Sequence, residues 1–311
     1  MAKVETRIEK WAAGATTKAE IQGKLVDFMW TLKKEGLSPI TIKNYAYFLR
    51  RLVKRGADLM NPESIKDVIA KQELWGNSTK FLAVAAYQKF ASVNCIDWKP
   101  PKYRLQRKLP FIPLEKEIDA LIACCGKKTA TTLQLLKETA MRIGEALRLE
   151  WTDIDFETNT ITLNNPEKNG VCRRFKISNK MTAMLNALPK IHKRVFGSAK
   201  VSSVAQNFCL QRKKAAAKLQ NPRLQRIRFH TLRHWKATME YHKTKDILHV
   251  MKLLGHRRIE NTLIYTQLVE FETDDYHSAT AETIEEAKKL VEAGFEYVCT
   301  HERYMLFRKR K

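Results

Sequence analysis

Five side chains of this sequence, together with a lysine in an expected hairpin turn, are of the types that phosphate chemistry needs: Arg142, His230, Arg233, His256 and Tyr265. Arg142 lies in Thr139-Ala140-Met141-Arg142-Ile143-Gly144-Glu145, a stretch where an unpaired guanidinium would be unfavourable. His230 and Arg233, in His230-Thr231-Leu232-Arg233-His234, are spaced to share one helical face. His256 ends Leu254-Gly255-His256, and Tyr265 follows nine positions later. Taken singly, each has a plain structural reading. Arg142 can pair with Glu138 or Glu145, His230 and Arg233 can meet at a surface by coincidence, and Tyr265 can be a half-buried aromatic. Together they are the set that phosphodiester transesterification without a metal requires. Negative charge grows on the nonbridging oxygens as a nucleophile attacks, and two guanidiniums offer forked donors to it at any working pH. A phenol with a pKa near ~10 is a weak nucleophile until a base or a positive field assists it. The departing 5′ oxygen needs a proton, which a lysine or histidine can deliver.

The charge balance fits such a substrate. The 311 residues carry 57 Lys+Arg against 33 Asp+Glu, a net +24. A surplus of that size favours a polyanionic partner, because each neutralised phosphate releases counterions. Nucleic acid comes first, although an anionic membrane surface or a ribosomal location would give the same charge. The N-terminus has no apolar core of a signal peptide, and no apolar run approaches the ~20 residues of a spanning helix, so no membrane association is expected. The cysteines (Cys95, Cys124, Cys125, Cys172, Cys209, Cys299) form no C-x-x-C pair. They read as reduced thiols of a cytoplasmic protein, with no metal site and no cofactor expected.

Elements that would position these groups follow from periodicity and punctuation. The first ~95 residues read as four helices. In order, these carry Ile21, Leu25, Phe28, Met29 and Leu32; Ile42, Tyr45, Leu49, Leu52 and Val53; Ile65, Val68 and Ile69; and Phe81, Leu82, Val84, Ala85, Tyr87 and Phe90. Gly36, Ser38-Pro39, Asn61-Pro62 and Asn77-Ser78 mark their ends. The second helix has a basic side of Lys43, Arg50, Arg51, Lys54 and Arg55, readable as a solvated face or as phosphate contacts. Around Asp97–Pro113 prolines alternate with Lys99, Lys102, Arg104, Arg107 and Lys108, the texture of an extended linker along a polyanion. Beyond it, one helix carries Ile118, Leu121 and Ile122, and another runs from Leu133 through Met141 and Ile143 to Leu147. A hairpin follows, with Thr160–Leu163 and Val171–Ile177 about a turn at Asn164–Gly170, and helices resume at Lys180. The stretch Arg212–Arg228 is again dense in cations. The end of the chain reads as a helix capped by Thr283 and Glu286 and closed by Gly294, then strands at Phe295–Cys299 and Tyr304–Phe307. The expected fold is mainly α with a small β-sheet or hairpin. Its division is residues 1–97, a linker at 98–112, a mixed α+β domain at 113–271 and a tail at 272–311.

The order Arg142, hairpin lysine, His-x-x-Arg-His, Leu-Gly-His and then tyrosine resembles the tyrosine recombinase (phage integrase) family, from about Pro110 to Phe271. The first four helices look like that family's core-binding domain, with Leu37-Ser38-Pro39, Thr41-Ile42, Tyr45 and Leu49 in the characteristic place, and the tail looks similar to those of archaeal members. The resemblance implies that Arg142 and Arg233 clamp the scissile phosphate, Lys168 protonates the leaving 5′ oxygen and His230 assists proton transfer at the tyrosine. It further implies that His256 bonds a nonbridging oxygen and that Tyr265 attacks to leave a 3′-phosphotyrosyl bond. Glu145 would orient the neighbouring arginine. Arg173 and Lys176 rival Lys168, and Arg173 joins Lys43, Arg50, Arg51, Lys54, Lys99, Lys102, Arg104 and Arg107 as expected DNA contacts. His234 is open between orienting its neighbours and simple packing. The family's usual glycine and leucine before the first arginine are here Ala140 and Met141, Thr231 stands for an aspartate, Trp235 for a smaller polar residue and Gln267 for a histidine. The implied partners are double-stranded DNA and further copies of this chain, as a tetramer on synapsed sites, with the tail docking on a neighbour. The competing readings are type IB topoisomerase-like relaxation and a noncatalytic DNA-binding accessory protein.

Overall fold

Helix boundaries follow the punctuation of the chain. The computed structural model describes residues 18–105, 108–168, 170–268, 276–301 and 303–310. The chain divides into two compact units, Met1–Lys108 and Leu109–Lys311. The first holds α1 (Lys18–Lys34), α2 (Pro39–Val53), α3 (Pro62–Ala70) and α4 (Asn77–Val93). Ser38 caps α2 by accepting from the Thr41 N–H, and Asn61 caps α3 by accepting from those of Glu63 and Ser64, each followed by a proline in the first turn. Leu25, Phe28, Leu32, Leu49, Leu52, Ile65, Ile69, Tyr87 and Phe90 form the core. Phe81 and Leu82, apolar residues near the start of α4, are 45% and 49% exposed. The face of α4 is set instead by Ala83, Val84, Ala86, Tyr87, Phe90 and Ala91. Trp98 and Tyr103 pack on this same core, Trp98 meeting Tyr87 edge-on at 4.6 Å. Two aromatics thereby anchor the start of the proline-rich stretch to the helical unit.

The second unit opens with α5 (Glu115–Ala123), α6 (Lys127–Thr139) and α7 (Ile143–Arg148). A three-stranded antiparallel sheet follows in the order β1 (Ile154–Asp155), β2 (Thr160–Leu163) and β3 (Arg173–Lys176). Ile161 pairs with Phe175 across β2 and β3, and both are buried, so the hairpin turns one face to the core. Strand β1 adds a partner that the sequence did not signal. Next come α8 (Asn179–Asn186), α9 (Val201–Lys218), α10 (Phe229–Thr244) and α11 (Ile247–Leu254), then short 3-10 turns at Ile259–Asn261 and Leu263–Leu268.

The single helix expected from Leu133 to Leu147 is two helices. Ala140 adopts a left-handed φ of +54°, Arg142 is extended, and α7 begins afresh at Ile143. Left-handed backbone costs a non-glycine residue roughly 1–2 kcal/mol. The compensation is tertiary: the buried Ala140 carbonyl accepts from Arg233, 2.7 Å away. No glycine or proline marks the break, so periodicity ran through it.

At the end of the chain, β4 (Tyr276–Ala281), α12 (Ile284–Glu292), β5 (Glu296–His301) and β6 (Tyr304–Arg310) form a second antiparallel sheet, ordered β4-β6-β5, with one helix. Thr283 caps α12 as expected, and β4 is the strand that was not foreseen. Among the described residues, no helix is long and apolar enough to cross a membrane.

Helix α11 ends on Gly255, at φ +64°, and a Cβ there would lie 2.9 Å from Arg173 Nε and 3.1 Å from the Val171 carbonyl. Gly255→Ala is therefore expected to lose about 1–3 kcal/mol. A urea midpoint lowered at unchanged slope would show this, and an unchanged midpoint would contradict the close approach of the hairpin to α11.

Candidate active site

Helix α10 presents His230, Arg233 and His234 at positions i, i+3 and i+4, and so on one side. Arg233 is 1% exposed. One terminal nitrogen donates to the Ala140 carbonyl at 2.7 Å, and the other to the Leu254 carbonyl at 2.6 Å and to His256 Nε2 at 3.1 Å. All of these acceptors are neutral, so the most deeply buried cation of the site has no carboxylate bonded to it. Burial, then the charges of Arg142 and Arg173, push its pKa down to about 9, which leaves it cationic at neutral pH.

Arg142 stands at the N-cap of α7, beside the fully buried Glu145. That carboxylate accepts from the Arg142 N–H at 2.9 Å, the Arg142 guanidinium at 3.0 Å, the Arg173 guanidinium at 2.7 Å and the Glu167 N–H at 3.0 Å. Burial alone would raise its pKa. The hydrogen bonds from Arg142 and Glu167 and the charges of both arginines outweigh that, and hold it below the ordinary carboxylate value. Arg142 also donates to the Glu167 carbonyl at 3.3 Å, which ties α7 to the hairpin turn.

Arg173, expected on DNA, faces the other way. Its side chain is 4% exposed and donates to Glu145 and to the Leu253 and Leu254 carbonyls. Arg173 and Phe175 share the buried face of β3, as strand alternation requires, so this arginine is an internal strut. Lys176 lies at the end of β3 remote from the turn. Lys168 is exposed in the turn at φ +55°, and its positive charge acts on His230.

Tyr265 is 2% exposed, in the Leu263–Leu268 turn, packed with Ala140, Ala237, Tyr241, Val250 and Leu254. Burial raises its pKa to about 12, against the lowering effect of Arg233 and Arg142. Its hydroxyl lies 3.0 Å from Nδ1 of His234. His230 meets His234 edge-on, ring centroids 4.5 Å apart. Burial first, then the charges of His234, Arg233, Arg142 and Lys168, push the His230 pKa down to about 4. His256 is lowered to about 4 as well, by burial and then by Arg233, Arg142, Arg173 and His230. Since its Nε2 accepts from Arg233, its Nδ1 carries hydrogen and donates to Thr262 Oγ1 at 3.0 Å. The structure thus gathers Arg142, Lys168, His230, Arg233, His256 and Tyr265 in one electrostatic neighbourhood. His234, left open by the sequence, is the residue that touches the tyrosine hydroxyl; its signal was its place one turn beyond His230. Glu167 was not singled out at all. It bonds Arg148 at 2.9 Å and fixes the turn through its own backbone.

On the first unit, Lys43, Arg50 and Lys54 are exposed along α2. Arg51 lies over the Trp75 ring at 4.5 Å and Arg55 over the same ring at 5.2 Å, so two guanidiniums are held on one indole. Lys99, Lys102 and Arg104 are exposed beyond α4, and Arg107 lies outside the described residues.

A family model described as phage integrase family matches residues 114–271, the span containing Arg142, Lys168, His230, Arg233, His256 and Tyr265. The chain belongs to the phage integrase family. Curated relatives of this family member include the tyrosine recombinase XerA of Pyrococcus furiosus, 27% identical over 265 residues, 78% of this chain and 89% of that protein. Another, the tyrosine recombinase XerA of Saccharolobus solfataricus, is 30% identical over 192 residues, 60% of this chain and 62% of the relative. The fold is shared with lambda integrase in a dimer bound to a COC′ core site, at a TM-score of 0.63 and 15% identity over 88% of this chain and 87% of that one. It is shared also with the Tn1549 transposon integrase in complex with transposon right end DNA, at a TM-score of 0.61 and 14% identity over 87% and 98%.

Stability of this integrase-family site should depend on Glu145. Its lowered pKa means that its contribution is complete above the ordinary value of 4.5 and is lost as pH falls through the lower folded value. Glu145→Ala should cost about 3–5 kcal/mol at pH 7, because two inward guanidiniums lose their carboxylate. The gap from the unsubstituted protein should narrow below pH 4. Urea denaturation at both pH values checks this, and equal midpoints at pH 7 would contradict it.

Proposed function

We propose that this phage integrase family member is a site-specific DNA recombinase that cleaves and rejoins duplex DNA through a 3′-phosphotyrosyl bond to Tyr265. The observation that carries the reading is a buried tyrosine in the field of two arginines, one of which spends its hydrogen bonds on neutral acceptors. A phosphodiester is the anion that such a site is short of. Arg142 and Arg233 would hold its nonbridging oxygens, and their charge would matter most as the pentacovalent transition state forms. His256, held on Arg233, would bond the same phosphate once its Nε2 carries a hydrogen instead of accepting from Arg233. Lys168, at the exposed turn, would protonate the departing 5′ oxygen, and His230 would assist proton transfer. The energy of the broken phosphodiester is kept in the tyrosyl ester, so the reverse attack by a 5′ hydroxyl rejoins the strand without another energy source.

Double-stranded DNA as partner is supported by the net charge of +24 and by the basic side of α2, with Lys43, Arg50, Arg51 and Lys54 as phosphate contacts. Lambda integrase is known as a tetramer bound to a Holliday junction, with a TM-score of 0.60 to this chain at 15% identity, and a tetramer on paired sites is our reading for this chain as well. Acting on genomic or element DNA, the protein would work in the cytoplasm. The complete set of reacting groups favours catalysis over passive site occupancy.

The test is a nicked suicide duplex carrying the target site. A protein–DNA adduct that survives detergent is expected from the unsubstituted chain and none from Tyr265→Phe, with DNA affinity retained. An adduct persisting in the phenylalanine form would refute the assignment of the nucleophile.

The tail would join neighbouring copies. Ile284 and Val291, two turns apart on α12, are 81% and 56% exposed, an apolar stripe left uncovered among the described residues. Removal of residues 272–311 should abolish higher-order assembly on DNA in light scattering; assembly unchanged by the truncation would remove the tail from that role.

A further inference from the structure

Proton transfer at the nucleophile needs an acceptor in contact with the phenol, and the three histidines of the site are not equivalent in this respect. His256 has both ring nitrogens engaged, by Arg233 and by Thr262. His230 meets the ring of His234 edge-on, and among the described residues no hydrogen bond joins it to Tyr265. His234 alone of the three touches the reacting atom, with Nδ1 3.0 Å from the Tyr265 hydroxyl. Burial and then the charge of Arg233 lower the His234 pKa, so the ring is neutral at pH 7, and the phenol, raised to about 12, keeps its proton. In the tautomer with the imidazole hydrogen on Nε2, the hydroxyl donates and Nδ1 accepts, which is the arrangement a base for the phenol requires.

We infer that His234 is the catalytic base for Tyr265, the role that family resemblance gives to His230. The inference rests on the recombinase reading and deepens it. As the Tyr265 oxygen forms its bond to phosphorus, the phenolic proton passes to Nδ1 of His234. The bond from phosphorus to the 5′ oxygen breaks, its electron pair stays on that oxygen, and Lys168 supplies the proton that makes it a hydroxyl. Rejoining runs the same steps backwards, with the imidazolium returning its proton to the tyrosine. The groups against His234 are Arg233, whose charge lowers its pKa, His230 edge-on to its ring and the Tyr265 hydroxyl, while Arg142 and Lys168 act on the adjacent His230. All are cationic or neutral, so an imidazolium is disfavoured until the phosphate brings negative charge. That couples proton removal to the presence of DNA.

The experiment compares adduct formation by the full chain and by His234→Gln, His230→Gln and Lys168→Ala. Each is measured on a suicide duplex and on one whose scissile 5′ bridging oxygen is replaced by sulfur, a leaving group that needs no proton. His234→Gln is expected to slow cleavage about 100-fold with DNA affinity unchanged. Its rate should climb about tenfold per pH unit from pH 7 to 9, where the unsubstituted enzyme is flat, because hydroxide must then remove the phenolic proton. Sulfur should rescue Lys168→Ala and leave His234→Gln slow. His234→Asn, whose side-chain oxygen falls near the Nδ1 position, gives the same comparison if the glutamine form does not fold. A normal rate in both His234 variants, a loss that sulfur restores, or a slow rate with an unaltered pH profile would each overturn the inference. If His230→Gln alone shows the steep pH dependence, the base is His230. Absence of any adduct from the unsubstituted enzyme would instead overturn the recombinase reading itself.

Discussion

A guanidinium buried without a carboxylate is the constraint around which the second unit is built. Taking such a charge out of water is unfavourable by several kcal/mol unless its donors are satisfied and its charge is offset. Arg233 finds its acceptors at two helix ends: the Ala140 carbonyl just past α6 and the Leu254 carbonyl that closes α11. Both lie at C-termini, where the helix backbone presents partial negative charge. Both are next to or at left-handed residues, Ala140 and Gly255, whose conformation turns the chain away and leaves the carbonyls uncovered for the arginine. The strained turns and the buried cation therefore account for one another. What the backbone offers is partial charge only, and the remaining deficit is what an incoming phosphate would fill.

Glu145 gives the second constraint. One carboxylate holds two arginines with different fates. Arg173 is consumed inside the fold, bridging β3 to the end of α11, whereas Arg142 keeps part of its guanidinium beside the open site. The same carboxylate fixes the backbone of Glu167 and so the turn that carries Lys168. One buried acid thus ties Arg142, proposed to clamp the phosphate, to the turn that carries Lys168, proposed to serve the leaving group. The tyrosine is subject to opposing effects: its pocket discourages ionisation by excluding water, while Arg233 and Arg142 favour it. The first effect dominates in the free protein, which keeps the phenol protonated.

Much of this was legible in the residues. Ser38-Pro39 and Asn61-Pro62 act locally, through caps that depend on three or four neighbours, and the helices they start lie where the sequence puts them. The hairpin of Thr160–Leu163 and Arg173–Lys176 was readable because alternation survives even when an arginine takes a core position. The direction of Arg173 was not, since a charged residue on a buried strand face is explained by distant partners: Glu145, twenty-eight positions earlier, and the carbonyls that end α11. The break at Ala140 was hidden for the same reason, its compensation lying ninety-three positions away in Arg233. His234 showed the limit most clearly. Its spacing from His230 placed it on the right side of a helix, but only the docking of the 263–268 turn against α10 and α11 brings the tyrosine to it.

The most direct measurement is a structure of the Tyr265→Phe chain bound to an uncleaved duplex carrying its site. This account predicts a backbone phosphate whose nonbridging oxygens accept from Arg142 and Arg233, with the para edge of the substituted ring in line with the phosphorus–5′ oxygen bond. If both guanidiniums kept only the partners they have without DNA and the nearest phosphate lay beyond their reach, the account would be contradicted.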